Sequence, residues 1–412
     1  MSDLFWPGDE RAGDAMSQRS FLAAMVQVEE AWLAGLVASG IAPGSAKADL
    51  TGLVGPDDID SLALGGEAGG NPVILLVSLL RKRIEEANPE AARWLHRGLT
   101  SQDVVDTGLM LCCRDVLDRL ISDLHHQATV LVDLVDKHRS TVMAGRTLTQ
   151  HAVPIAFGLK ASGWLTGVLD AAEATTPART ALAVQLGGAA GTSAATVELA
   201  RTAGLDDPIA ATVSQVDRVA ADLGLATRSA WHTSRRPVTA IADALVTATD
   251  AWGRIASDVV TLGRPEIGEL AEPAVSGRGG SSTMPQKQNP VLSVLVRRGA
   301  IAAPPLAATL HTAAALAVDE RPDGSWHVEW STLATLARRT LVAGSQTTEL
   351  LSGLQVDTGR MADNVAASRD ALLAEQESIS GTATEPADYL GAASAVVDGT
   401  LSRARGVLGV QP

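Results

Sequence analysis

Residues 277–290 read Gly277-Arg278-Gly279-Gly280-Ser281-Ser282-Thr283-Met284-Pro285-Gln286-Lys287-Gln288-Asn289-Pro290. A glycine-rich run meets two serines, then a lysine six residues after the first serine and an asparagine two further on. Glycine lets the backbone take conformations that other residues avoid, and lets it move. A hydroxyl-bearing loop with a cation beside it suits chemistry on an anion. Lys287 can neutralise charge that grows on a carboxylate, while amides and hydroxyls hold the rest. A plain Gly/Ser/Pro linker has no need of the ordered Met-Pro-x-Lys-x-Asn-Pro. The spacing is also not that of a phosphate-binding P-loop.

Two further stretches belong with this loop. Upstream lies Thr100-Ser101-Gln102-Asp103, with His96 just before it. Between the two lies Gly145-Arg146-Thr147-Leu148-Thr149-Gln150-His151-Ala152-Val153-Pro154. In this order the three motifs resemble the shared regions of the fumarase/aspartase superfamily. The resemblance implies an all-α fold with three helical domains, at residues 1–97, 98–345 and 346–412, the central one a bundle of long helices. It also implies a homotetramer in which each active site draws one shared region from each of three subunits. The implied chemistry adds or removes a group β to a carboxylate through an aci-carboxylate, which cations and donors must stabilise.

Composition agrees with a helical globular protein. The chain has 412 residues, long enough for two or three domains. Alanine and leucine dominate, which favours helix over sheet. The net charge of −14 argues against a nucleic-acid partner. It leaves room for a small anionic substrate held by a local cluster of Arg and Lys. The two cysteines, Cys112 and Cys113, are adjacent and suggest no disulfide framework. With no apolar signal core at the N-terminus and no uninterrupted apolar run of membrane-spanning length, a cytoplasmic protein without a membrane partner is expected.

Apolar periodicity predicts helices over Ser20–Val37, Pro72–Ala87, Thr100 to about His138, Pro154 to about Ala174, Arg228–Leu262, from Pro290 onward, and Trp326–Ser352. Pro304-Pro305 predicts a kink or break in the sixth of these. No series of alternating strands stands out. Glu375–Pro386 reads as a loop in a short C-terminal domain.

The resemblance assigns roles residue by residue. Ser281 corresponds to the catalytic serine, base in elimination and acid in the reverse. Because a free hydroxyl is a poor base, it must be activated by its surroundings, Lys287 included. Lys287 and Asn289 correspond to carboxylate-binding groups, with Ser282 a further candidate. Thr100 and Ser101 precede a helix, whose free amides and positive dipole end favour an anion; they also read as a plain N-cap with Asp103 in the first turn. Thr147 and Gln150 are expected to face the substrate. Arg146 reads equally as a site residue and as a structural ion pair. His151 reads equally as a supporting and as a catalytic group, and His96 equally as a binding group and as an ordinary surface residue. Trp231-His232-Thr233-Ser234-Arg235 is similar to a stretch of the bacterial cycloisomerase branch, and makes His232 and Arg235 candidates for an extra carboxylate. Arg321-Pro322-Asp323-Gly324-Ser325-Trp326-His327-Val328-Glu329-Trp330 answers a second motif of that branch. Its Arg321 is a site candidate, and its tryptophans read as packing. His125-His126 lacks a partner at metal-ligand spacing, so no metal and no cofactor are expected.

One departure narrows the chemistry. The lyase branches of the superfamily carry a histidine, tied to protonating the leaving group, where this chain has Leu148. Leucine transfers no proton. An amine or hydroxide leaves poorly without one, whereas a carboxylate, of pKa about 4, attacks and leaves as an anion. This points to lactonisation of a tricarboxylate, 3-carboxy-cis,cis-muconate to 4-carboxymuconolactone in protocatechuate degradation, with Ser281 supplying the proton to carbon. An adenylosuccinate-type lyase and an inactive helical scaffold are the alternatives.

Overall fold

The computed structural model describes residues 3–284 and 286–409; Pro285 of the loop motif lies outside them. The first long helix, α1 (Gln18–Ala38), begins where the Ser17 hydroxyl accepts from the Ser20 amide. Three shorter helices follow: α2 (Ile59–Gly69), α3 (Val73–Glu85) and α4 (Pro89–Trp94). Then comes α5 (Ser101–Lys137), 37 residues and so about 55 Å long. Its start is a capping box in which the Thr100 amide donates to Asp103 Oδ2 at 2.9 Å. Val105, Leu109, Cys112, Val116, Leu120 and Leu124, spaced three and four apart, are all buried.

A β-hairpin separates α5 from the next bundle helix. Strands β1 (Val142–Thr147) and β2 (Gln150–Ala156) pair antiparallel, Val142 opposite Ala156 and Thr147 opposite Gln150, with an irregularity between Ala144 and Arg146. The chain continues through α6 (Phe157–Thr180), α7 (Ala194–Thr202), α8 (Pro208–Leu223) and α9 (Arg236–Leu262). After the short β3 (Leu270–Ala271) come α10 (Val291–Ala315) and α11 (Gly324–Ser352). A short β4 (Gln355–Val356) pairs antiparallel with β3, and α12 (Thr358–Ala367), α13 (Arg369–Ser380) and α14 (Ala393–Leu408) complete the fold.

Helices α5, α6, α9, α10 and α11 pack side by side as the bundle, with α1 on α5. One hydrophobic core runs from Trp6 near the N-terminus to Ala404 in α14. Buried tryptophans fasten neighbouring helices by their indole N–H groups. Trp252 donates to Gln127 Oε1 at 2.7 Å and Trp164 to Asp258 Oδ2 at 2.8 Å. Helices α12 and α13 back the hairpin, and α14 lies on α6.

The mainly helical fold expected from the sequence is present, with differences in detail. Pro154 lies in β2, and α6 starts only at Phe157. Residues 228–235 form an irregular segment before α9. Helix α10 runs through Pro304-Pro305 without a break, its flanks anchored by buried Ala303, Ala307 and Leu310. Residues 375–380, read as loop, belong to α13, whose apolar pair Leu372 and Leu373 is buried. Helices α1 and α10 have the length and apolarity to cross a membrane; both are bundle-packed, α1 on α5 and α10 between α9 and α11.

Candidate active site

The helices sort the three motifs between two ends of the bundle. Thr100 caps the start of α5, Arg235 precedes α9, and Arg321 lies between α10 and α11. These three meet at one end. The hairpin follows the far end of α5, and the Ser281 loop lies between the far ends of α9 and α10. Helix α9 has 27 residues, about 40 Å. Within one chain, then, Ser281 is separated from Thr100 by roughly the length of the bundle.

At the first end, Arg321 Nη1 donates to Thr100 Oγ1 at 2.8 Å. Ser101 opens the helix beside it. Asp103 is fully buried and organises the surroundings. Its Oδ1 accepts from the Gly187 amide at 3.0 Å and lies 3.3 Å from His232 Nε2. Its Oδ2 accepts from the amides of Gly188 and Thr100. Gly98 packs so closely on Thr196 that a β-carbon would stand 2.4 Å from its hydroxyl, and its φ of +88° also favours glycine. The sequence places Asp103 in the first turn behind an N-cap, which the capping box bears out, but its bonds to the loop 185–191, and that loop itself, were not legible there.

Arg235 is a correction. It was expected to bind a substrate carboxylate, but its guanidinium is buried between two protein carboxylates. Nη1 and Nη2 reach Asp106 at 2.7 and 3.0 Å, and Nη2 reaches Glu329 at 2.5 Å. Trp326 Nε1 adds a bond to Asp106 Oδ1 at 2.9 Å, and the guanidinium lies over the Trp231 ring. Burial alone would make Arg235 easier to deprotonate, but Asp106 and Glu329 reverse this and hold it charged. Burial pushes Glu329 upward despite Arg235. The triad joins α5, α11 and the segment before α9. His232 is likewise buried, turned to Asp103 and the glycines, and so sits beneath the site instead of lining it.

At the second end, Arg146 makes a two-pronged ion pair with Glu269, Nη1 at 2.9 Å and Nη2 at 2.8 Å. Asn364 Nδ2 also donates to Glu269. Of its two readings, the structural one holds: Arg146 ties the hairpin to the segment before β3. Thr147, Gln150 and His151 are exposed toward the hairpin tip. Leu148 and Thr149 form the tip itself, with φ of 47° and 70°, and Leu148 is 95% exposed.

Ser281 Oγ accepts from the Met284 amide at 3.2 Å and, more loosely, from the Thr283 amide at 3.4 Å. Such donors favour a developing alkoxide. Ser282 and Lys287 are exposed. Asn289 also holds the loop together. Its amide and its side-chain Nδ2 both donate to Gly279 O, at 2.8 and 2.9 Å. It clamps the two ends of the loop, and the second N–H of its side-chain amide is left over for a ligand. Glu272 closes the start of α10 by accepting from Leu292 and Ser293. A cleft of about 630 Å³ opens between this loop and β3, lined by Glu272, Ser276, Arg278 and Asn289 among others.

Residues 71–303 match a family model described as lyase. The chain belongs to the fumarase/aspartase lyase superfamily. It is 42% identical to a nitrosuccinate lyase of Streptomyces davaonensis, over 85% of this chain and 74% of that protein. It is 39% identical to a 3-carboxy-cis,cis-muconate cycloisomerase of Pseudomonas aeruginosa, over 88% and 77% respectively. The solved 3-carboxy-cis,cis-muconate lactonizing enzyme of Pseudomonas putida superposes with a TM-score of 0.83 at 30% identity, covering 96% of this chain and 97% of that one. For a member of this superfamily, motifs at opposite ends of one bundle are the arrangement that a site shared between copies requires.

Proposed function

We propose that this enzyme makes or breaks a bond β to a carboxylate with a group that arrives or leaves as an anion, and that its substrate is 3-carboxy-cis,cis-muconate. A carboxylate oxygen of the substrate adds to its own double bond. The displaced electron pair moves into a neighbouring carboxylate as an aci-carboxylate, and Ser281 delivers its proton to carbon, giving 4-carboxymuconolactone. Lys287 offsets the charge of the intermediate. The observation that carries this reading is Leu148, which stands at the exposed tip of the hairpin with no proton to give. A carboxylate needs none.

The same argument admits a second reading, favoured by the similarity to the Streptomyces davaonensis protein. Nitrite is the anion of an acid about as strong as a carboxylic acid, and it too departs without a proton donor. An elimination of nitrite from nitrosuccinate would use Ser281 as base. Adenylosuccinate cleavage fits less well, since its amine needs an acid and Arg235 is unavailable for a phosphate.

A site built from several copies is also supported. On α10, Val294 and Ile301, seven residues apart, are 52% and 71% exposed. This apolar face suits packing against the same helix of another copy in a homotetramer. The deciding experiment follows loss of diene absorbance with 3-carboxymuconate, nitrite release with nitrosuccinate, and cleavage of adenylosuccinate. Turnover of the first alone is expected. Nitrite release without diene loss would move the assignment to the second reading, and adenylosuccinate cleavage would overturn the leaving-group argument.

A further inference from the structure

The Ser281 loop is tied to the bundle through a pair of residues with no role assigned so far. Arg278 stands three residues before Ser281, and its Nη1 lies 2.6 Å from Glu349 Oε1 in the last turn of α11. Glu349 has a second cation on its other oxygen: Arg11 Nη2 donates to Oε2 at 2.7 Å. Arg11 belongs to a short 3-10 helix, Asp9–Ala12, and is itself held. Its Nη1 donates to Ser345 Oγ, one turn before Glu349, at 3.2 Å. Its carbonyl accepts from Arg119 Nη2 of α5 at 2.6 Å. Burial alone would raise the Glu349 carboxyl, but Arg11 and Arg278 outweigh it and hold the group below its ordinary value.

Among the described residues, Arg278 is the one side chain between Pro273 and Gln288 with an ion pair or hydrogen bond to a helix of the bundle. The clamp of Asn289 on Gly279 closes residues 279–289 into a ring. That clamp sets the distance between the two limbs, not the direction in which the ring points. A ring joined to the bundle only through Pro290 is free to swing, and a second attachment at Arg278 stops the swing. Gly277 and Gly279 flank Arg278 with φ of +80° and +76°, so the backbone pivots readily on either side of it. Most of the loop is exposed, but the Arg278 side chain keeps only 22% of its surface in water. Its Nη1 is buried with no aligned acceptor, so charge holds the pair and not hydrogen-bond geometry. Ser281 stays within about 10 Å of this anchored point, the reach of three extended residues.

We propose that Glu349 is a positioning residue for this loop: through Arg278 it fixes the direction of the ring that carries Ser281 and Lys287, and Arg11 braces its carboxylate. The proposal rests on the reading of Ser281 as the proton-transfer group. Neither Glu349 nor Arg278 has to touch the substrate. Support runs outward from Ser281 through Arg278 to Glu349, and then to Arg11 with Ser345 and Arg119 behind it. Reaction geometry is sensitive to such support, since a displacement of about 1 Å costs up to about a hundredfold in rate. A partly exposed ion pair contributes little to folding, so loss of position is separable from loss of fold.

The test reads the loop with and without chemistry. Trypsin acting on the native, unliganded protein should cut after the exposed Lys287 at least about tenfold faster in Glu349→Gln than in wild type, as the ring swings free. Arg278→Gln, a change within the loop that leaves α11 intact, should do the same, and it decides alone should Glu349→Gln not fold. Arg278→Lys keeps the charge and should return most of the wild-type resistance. On whichever substrate turns over, Glu349→Gln and Arg278→Gln should each lower kcat about tenfold, with KM within about threefold and the urea midpoint near wild type. Because both act through one contact, the double variant should be no slower than the slower single. An unchanged tryptic rate, full kcat in either Gln variant, or kcat losses that multiply in the double variant would overturn the proposal. So would kcat losses that only track the urea midpoint. If no substrate turns over but cleavage after Lys287 quickens in both Gln variants, the anchor stands and the assigned reaction fails.

Discussion

Under the proposed function, Ser281 and Leu148 carry different parts of the chemistry, and each can be tested alone. Ser281→Ala deletes the proton donor and little bulk. Turnover should fall well below a tenth of wild type while KM stays within about tenfold. Retention of more than that tenth would send the search to another acid, His151 first. Leu148 needs shape and not acidity under the anionic-leaving-group reading. Leu148→Met should keep turnover within about tenfold, and Leu148→His should bring no gain; a large gain would mean that oxygen protonation limits the rate. His96 bears on stability, with its Nδ1 2.6 Å from Oε1 of the buried Glu29 in α1. Its folded-state pKa is raised, net of burial, by Glu29. The stability from the pair is therefore full below the ordinary imidazole value of about 6.5 and is lost as pH rises through the higher folded value. Urea melts of wild type against His96→Gln between pH 5.5 and 9 should show the difference shrinking as pH rises; a constant difference would deny the charged pair.

Among the elements, the junction of α5, α9 and α11 depends on the buried triad. Arg235→Met leaves Asp106 and Glu329 facing each other without a cation, a loss of about 3–5 kcal/mol in denaturant midpoint and slope. Loss of under about 1 kcal/mol would show that the triad is dispensable, and would reopen Arg235 as a substrate ligand. The hairpin presents the opposite case. Its two-residue tip holds Leu148 and Thr149 at positive φ, where Asn-Gly is the favoured pair. Replacing both by Asn-Gly should stabilise the fold by about 1 kcal/mol or more while lowering turnover, because the apolar tip is lost. Greater stability with full activity would mean that the side chains at the tip have no role in the site.

For the whole molecule, the decisive fact is that one chain keeps the Thr100 motif at the opposite end of the bundle from the hairpin and the Ser281 loop, with α9, about 40 Å long, between the two ends. Sedimentation should give a mass near four chains. Ile301→Asp, placing a charge on the exposed apolar face of α10, should yield smaller species that have lost turnover together with assembly. Mixing the inactive Ser281→Ala with an inactive Arg321→Ala variant, after unfolding and refolding together, should restore part of the activity, since some mixed sites then hold an intact set. A fully active Ile301→Asp monomer would defeat the shared-site reading.

How much was legible beforehand follows from the range of each interaction. Helix type and most helix bounds came from the three-and-four spacing of apolar residues such as Val105, Leu109, Cys112 and Val116, a pattern local to a few turns. The loop around Ser281 and its lysine were legible as well, because glycines, hydroxyls and a cation lie within a dozen residues. The hairpin was not, since pairing Val142 with Ala156 depends on α12 and α13 behind it. Arg235 was read as a ligand because its partners, Asp106 and Glu329, lie 129 and 94 residues away. Glu29, 67 residues from His96, gave no signal at all. Local patterns of hydrophobicity and turn chemistry are written along the chain. Whether a charged group faces a substrate or another buried charge is decided only when distant helices pack, because burial and Coulomb energy depend on what surrounds the group in space.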